Sequence, residues 1–454
     1  MAKSHTEAVS ASPPPANQHD ETGRPKFGLS TTLRALRHRN FQLFFSGQLI
    51  SLVGTWMQSI AQDWLVYRMT GSSLLLGLVG FTNQIPVFLL APIAGIVADR
   101  FNRRRTVIAT QASSMILALI LAALTLTGRV RIWEIMILAG LMGVVNAFDI
   151  PARQTFLIDM VGREDLLNGI ALNSSIFNSA RIIGPAIAGI LVASIGEGWC
   201  FFANGVSYIA VIIGLLMMRL NRQAALHTGG SALETIVEGF RFARNAAPVR
   251  ALLLLVGLIS LSAMPYTVLM PIFAGKILHG GARELGLLMG ATGIGALAGA
   301  LTLASKFSVR GLGRWIWVAA TGFGVSLILF SLSRHSLLSM ALLVPAGFSM
   351  MIQMGSTNTL LQVMVPDRLR GRVMALYSMM FIGMAPIGAL LAGIAAAKIG
   401  APWTVAIGGV VALAGGAVFA RHLPSIRGEA RQMIDAQAMI AVGGPQGSMP
   451  VSKS

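Results

Sequence analysis

Gly95-Ile96-Val97-Ala98-Asp99-Arg100-Phe101-Asn102-Arg103-Arg104-Arg105 is the stretch on which the reading of this chain turns. An uncharged run meets one acid and then four arginines within six positions. Upstream, residues 73–97 carry no charge, and downstream neither do residues 106–127. A helix crossing the hydrocarbon of a bilayer needs about 20 mostly apolar residues. The stretch is therefore a short charged turn between two membrane crossings.

The composition agrees. Of 454 residues, 54% are apolar and 11% are Asp, Glu, Lys or Arg, with a mean hydropathy of +0.71. A soluble domain carries about 25% charged residues, and so few charges cannot cover a soluble globule of this size. Disordered chains are apolar-poor and charge-rich, so disorder is excluded as well. A polytopic membrane protein remains. Cys200 is the single cysteine, which excludes a disulfide framework and a thiolate metal site. Neither a metal nor a cofactor is expected.

Twelve crossings are predicted. The first six lie near 42–66, 73–97, 106–127, 132–152, 168–195 and 199–218. The second six lie near 251–273, 284–304, 315–333, 337–358, 373–397 and 402–420. With the N-terminus inside, 27 of the 35 Lys and Arg fall on inner segments, seven on outer loops, and Arg181 lies within span 5. This asymmetry predicts cytoplasmic termini. The net charge of +18 is thus mainly a topology signal, placed next to anionic lipid.

The expected organisation is a mostly disordered N-terminal tail (1–40), a six-helix half (41–218), a linker (219–250), a second half (251–423) and a similarly disordered, polar C-terminal tail (424–454). Leu233, Ile236, Val237 and Phe240 share one helical face of the linker. That predicts a short amphipathic helix, lying on the membrane surface or packed on the inner ends of the spans. An internal repeat supports the division. Sliding residues 160–191 by 204 positions gives eleven identities in 32, including Gly184 on Gly388 and Gly189 on Gly393. Span 5 is thereby equivalent to span 11. Two six-helix halves around a midplane cavity is a transporter plan.

The turn at 95–105 resembles the signature loop of the major facilitator superfamily, a Gly-x-x-x-Asp-Arg-x-Gly-Arg-Arg pattern between spans 2 and 3. Asn102 stands where that pattern has Gly, and Asn tolerates the left-handed conformation. The resemblance implies a latch closing the inner face. It is built from Gly95, Asp99, Arg100, Arg103 and Arg104, with Asp149 on span 4 and the start of span 11 at Gly371. Arg103 is one turn from Asp99 and is expected to pair with it. Residues Ala147 to Gln154, Ala171 to Ser174 and Ala180 to Pro185 are similar to the branch holding the enterobactin exporter and macrolide-efflux proteins. The chain is identified as a member of this superfamily, with its fold of two pseudo-symmetric six-helix halves. Gly184, Pro185 and Gly189 in span 5 match part of the Gly-Pro signature of proton-coupled drug antiporters, where Pro185 kinks the helix.

Ionisable residues inside the membrane are few, and such groups mark transport pathways. Asp63 is positioned either as a proton carrier or as an interface carboxylate that, near Trp64 and Tyr67, marks the membrane boundary. Arg181 is positioned either to hold an anionic substrate or to form a fixed pair, and Arg153 lies at the inner end of span 4. Gln62, Asn83 and Asn173 are candidate cavity-lining groups, along with Gln58 and Gln353. No phosphate loop and no His-Glu-x-x-His zinc motif occurs, and no enzymatic activity is expected. The basic residues are scattered over short inner segments, which argues against nucleic acid. The reading is proton-coupled export of a small amphiphilic compound, drug or siderophore, by a monomer in a bacterial inner membrane. The alternatives are an uptake carrier or uniporter of the same fold, or a non-transporting scaffold or receptor.

Overall fold

The computed structural model describes residues 34–162, 164–219, 232–305, 309 and 311–441; for Pro92, Ile96, Ala98, Asp99, Arg100, Leu167, 232–237 and 438–441 it describes the backbone path alone. Of the tail expected at 1–40, residues 1–33 lie outside the described residues, as do Lys306 and Arg310; within 34–40, Arg34–Arg37 form a helical turn and span 1 already begins at Arg39.

The described residues are helical and contain no strand. In the first half the spans are Arg39–Thr70, Ser73–Arg100, Arg103–Leu126, Ile132–Val161, Leu166–Ile195 and Glu197–Met217. In the second half they are Ala247–Ile277, Ala282–Ala304, Leu312–Leu332, Ser336–Met364, Asp367–Ile399 and Ala401–Ala441. Eleven of these are long and apolar enough to cross a membrane. Span 1 is long enough, at 32 residues, but Gln48, Ser51, Gln58, Gln62 and Asp63 lower its hydropathy.

Local chemistry sets the ends. Gly71 terminates span 1 at φ 60°, a left-handed position that suits glycine, and its N–H bonds the Tyr67 carbonyl. Ser72 then caps span 2 by accepting from Leu75 N–H. Asn102 does not take the left-handed conformation expected of it. It sits at φ −65°, ψ 110°, and its side chain accepts from Arg105 N–H at 3.1 Å. It serves as the N-cap of span 3, a role glycine cannot fill with a side chain.

Two helices run on through prolines beyond their expected ends. Span 4 runs through Pro151 to Val161, and span 12 runs through Pro424 to Ala441. A proline removes one backbone hydrogen bond, and neighbouring helices can still hold the rest of the turn in register. Residues 424–441 are therefore helix, with Ile426, Ala430, Met433 and Ile434 packed on the core.

The two halves repeat one packing scheme. Span 1 packs on spans 5 and 6, span 2 on span 4, and span 3 on spans 4 and 6. Span 7 packs likewise on spans 11 and 12, span 8 on span 10, and span 9 on spans 10 and 12. The linker helix, Ala232–Asn245, packs on the start of span 11. Its Gly239 and Ala243 are buried there while Phe240 is 61% exposed. Over its described side chains it is thus packed on the inner ends of the spans.

Candidate functional site

The halves meet through two related crossings, span 5 on span 8 and span 2 on span 11. Glycines make both. A Cβ placed on Gly286 would stand 2.7 Å from the Pro185 carbonyl oxygen and 2.8 Å from the Gly189 Cα. A Cβ on Gly77 would stand 2.6 Å from the Ala389 carbonyl oxygen and 2.9 Å from the Gly393 Cα. Gly189 and Gly393 are the positions that superpose in the sequence repeat. The contact is backbone on backbone, which only small residues allow. The other repeat pair behaves alike: Gly184 lies against Val53 and Trp56 of span 1, and Gly388 against Ser260 and Leu261 of span 7.

Both crossings lie in the membrane half remote from the termini, where the Tyr67 ring also covers Gly275. Toward the other end, Phe88 meets Gly383. Gly95 and Gly371 have open space around them. Among the described residues, no ion pair joins the two halves.

Arg181 stands at the junction. Its guanidinium lies over the Trp56 ring, 5.7 Å from the centroid, and its Nη2 is 4.0 Å from Sδ of Met350 on span 10. Trp56 in turn packs edge-on against Phe177, which is 45% exposed. The guanidinium has no carboxylate partner among the described residues. A cation held by a π face and a thioether keeps most of its donors free.

Asp63 is half-buried and pairs with no described residue; it sits one turn from Tyr67 on span 1. Gln62 and Asn173 are half-buried, and Asn83 donates weakly to the Ala139 carbonyl at 3.5 Å. Gln58 and Gln353, expected to line the cavity, are instead buried in the helix packing. Gln58 accepts from Asn204 of span 6 at 2.7 Å.

Asp149 and Arg153 are committed to each other. Arg153 Nη2 is 2.6 Å from one carboxylate oxygen of Asp149, and the other accepts from Thr110 and Gln111 of span 3 at 2.7 and 3.0 Å. Asp149 thus faces span 3 in this structure. Arg103 reaches Asp159 at 2.9 Å, and Arg104 reaches the Leu216 carbonyl at 2.9 Å. The side chains of Asp99 and Arg100 lie outside the described residues.

Two clamps were not legible in the sequence. Asp165, ahead of span 5, is fully buried among Arg34 (3.2 Å), Arg37 (2.8 Å) and His38 (2.7 Å). The His38 hydrogen bond and the two guanidiniums hold its carboxyl below the ordinary range, against the opposing effect of burial. In the second half the charges are exchanged. Glu238 of the linker helix pairs with Arg372 and, at 3.9 Å, with Arg368 at the start of span 11. Spacings 34/37/38 and 368/372 are helix-face signals, but their partners lie over 100 residues away.

Two helical halves joined by glycine crossings, with unpaired charge at the junction, define a membrane carrier of the major facilitator fold. The sequence model described as transmembrane secretion effector matches residues 30–442, and the chain belongs to that family. It is 28% identical to the staphyloferrin A transporter of Staphylococcus aureus, over 81% of this chain and 92% of that one. It is 27% identical to the multidrug efflux pump Tap of Mycolicibacterium fortuitum, over 75% of this chain and 85% of that one. It is 26% identical to the enterobactin exporter EntS of Citrobacter koseri, over 78% of this chain and 85% of that one. In fold it matches a crystal structure of a mutant nucleoside transporter NupG, with a TM-score of 0.70 at 12% identity, covering 84% of this chain and 99% of that one. It is a transporter and not an enzyme, a multi-pass protein of the bacterial inner-membrane type.

Proposed function

We propose that the chain exports a small anionic amphiphile across the inner membrane by alternating access, driven by protons moving inward, with both termini cytoplasmic. The observation that carries this reading is Arg181, a guanidinium between the halves with no carboxylate partner among the described residues, flanked by Trp56 and Met350. An unpaired charge in the membrane is costly, and an anionic group of the substrate would complete it. An aromatic and thioether wall suits the apolar part of such a compound. Relatives named for staphyloferrin A and enterobactin make a siderophore the first compound class to test.

Asp63 is assigned the proton. It lies within the span, without an ion-pair partner among the described residues, beside the end where span 1 meets span 7. A carboxylate moved between wet and dry surroundings changes its proton affinity, which is what coupling needs. Because the inter-half contacts cluster away from the termini, this conformation corresponds to the inward-open state. In the outward-open state, Asp99 would meet the start of span 11 at Gly371, where a carboxylate is favoured by the helix dipole. One chain holds both halves, so the working unit is the monomer.

Everted vesicles test this. Energised vesicles should accumulate a catecholate or carboxylate siderophore, and Asp63→Asn should abolish the accumulation while leaving binding intact. Accumulation that survives collapse of the proton gradient would refute the coupling.

A further inference from the structure

The continuation of span 12 past Leu423 builds a second concavity, separate from the junction of the halves. It is a cavity of about 840 Å³ between this helix, the starts of spans 7 and 9 and the end of span 10. That volume lies within the usual range for small-molecule sites, about 300–1,000 Å³. Leu252, Leu360 and Phe419 form its apolar wall. Its charged lining is Arg314, Arg427 and Arg431, against one carboxylate, Asp435. None of the three arginines forms an ion pair with a described residue.

The placement of these groups has a physical logic. Leu423, Ile426, Arg427, Ala430, Arg431 and Ile434 recur at helical spacing and all line the cavity. The apolar members bring the helix against the second half, and the arginines stand beside them. Arg314 is the third residue of span 9, at the membrane boundary on the side where the termini lie. An apolar recess edged by three guanidiniums at that depth matches a molecule with an anionic head and a hydrocarbon body. Guanidinium is the side chain best shaped to bind phosphate oxygens in pairs.

We propose that this cavity is a binding site for an anionic phospholipid, its phosphate held by Arg314, Arg427 and Arg431 and its upper acyl chain against Leu252, Leu360 and Phe419. The C-terminal helix, on this assignment, is a lipid-binding element and the lipid fastens it to the second half.

Native mass spectrometry of the purified full chain, titrated with phosphatidylglycerol or phosphatidylcholine, tests this. Phosphatidylglycerol should be retained in preference. Each basic residue near an anionic surface contributes about 1 kcal/mol, so R427Q/R431Q should bind phosphatidylglycerol about 30-fold more weakly, and R427K/R431K should recover much of it. Ala430→Trp, which fills the recess and leaves the arginines in place, should also lose the lipid. Equal retention of both lipids, or unchanged binding by the double glutamine variant, would overturn the proposal. So would displacement of the lipid by millimolar inorganic phosphate, which would assign the arginines to a soluble anion.

Discussion

Nη2 of Arg181 on span 5 lies 4.0 Å from Sδ of Met350 on span 10, so a single side chain spans the junction of the two halves. A guanidinium in that position is near whatever occupies the space between them. Arg181→Gln should cut export of an anionic compound at least tenfold, with expression unchanged. Arg181→Lys should retain part of it, because charge is kept while the planar donor set is lost. Initial rates with one anionic and one neutral probe in everted vesicles check this. Equal loss for both probes would show a structural role instead.

The Gly189–Gly286 crossing should be intolerant of bulk. Gly286→Val places carbon against the Pro185 carbonyl oxygen and the Gly189 backbone. Overpacking of this kind costs about 1–3 kcal/mol. The cost falls only on the conformation in which the halves touch there, so the variant should favour the opposite one. A cysteine introduced beside the crossing in a Cys200→Ser background should then react faster with a membrane-impermeant maleimide. An unchanged labelling rate would mean the crossing is looser than it stands here.

Asp165 should make stability depend on acid. Its carboxyl titrates below the ordinary Asp value, because His38 hydrogen-bonds it and Arg37 and Arg34 face it. A depressed carboxyl stabilises the fold at any pH above its unfolded value, about 3.9, and loses that contribution as pH falls through the folded value. The thermal midpoint in detergent should therefore carry no Asp165 contribution to its slope between pH 5 and 8, and should drop below pH 4. Asp165→Asn should lower the midpoint at neutral pH, by about 1–2 kcal/mol in stability, and flatten the acid limb. An acid limb identical to the parent's would remove Asp165 from this account.

Glu238 ties the linker helix to the residues that precede and follow Gly371. If the start of span 11 also docks on the loop at Asp99, the two contacts compete. Glu238→Gln should then favour inner closure and Asp99→Asn inner opening. Glu238 is partly exposed, and such pairs contribute about 0.2–1 kcal/mol, so the population shift should be no more than about fivefold. Double electron–electron resonance between spin labels on the inner ends of the halves reads both. Shifts of the same sign in the two variants would rule out competition.

Hydropathy and the placement of charge are properties of order along the chain. They therefore determined the membrane class, the division into halves, the repeat between spans 5 and 11, and the superfamily. The sequence also marked Arg181 and Asp63, because a charge inside an apolar run is visible without a partner. It left open what Arg181 meets, and it ended span 4 near 152 and span 12 near 420, where packing against other spans carries both helices on to Val161 and Ala441. Only the tertiary structure decided that Gly189 seats on Gly286 and Gly393 on Gly77, that Asp149 turns to span 3, and that Asp165 gathers Arg34, Arg37 and His38. Helical periodicity tells which side of a helix a residue occupies. Which neighbour stands on that side depends on how the spans are arranged, and that is a property of the whole bundle.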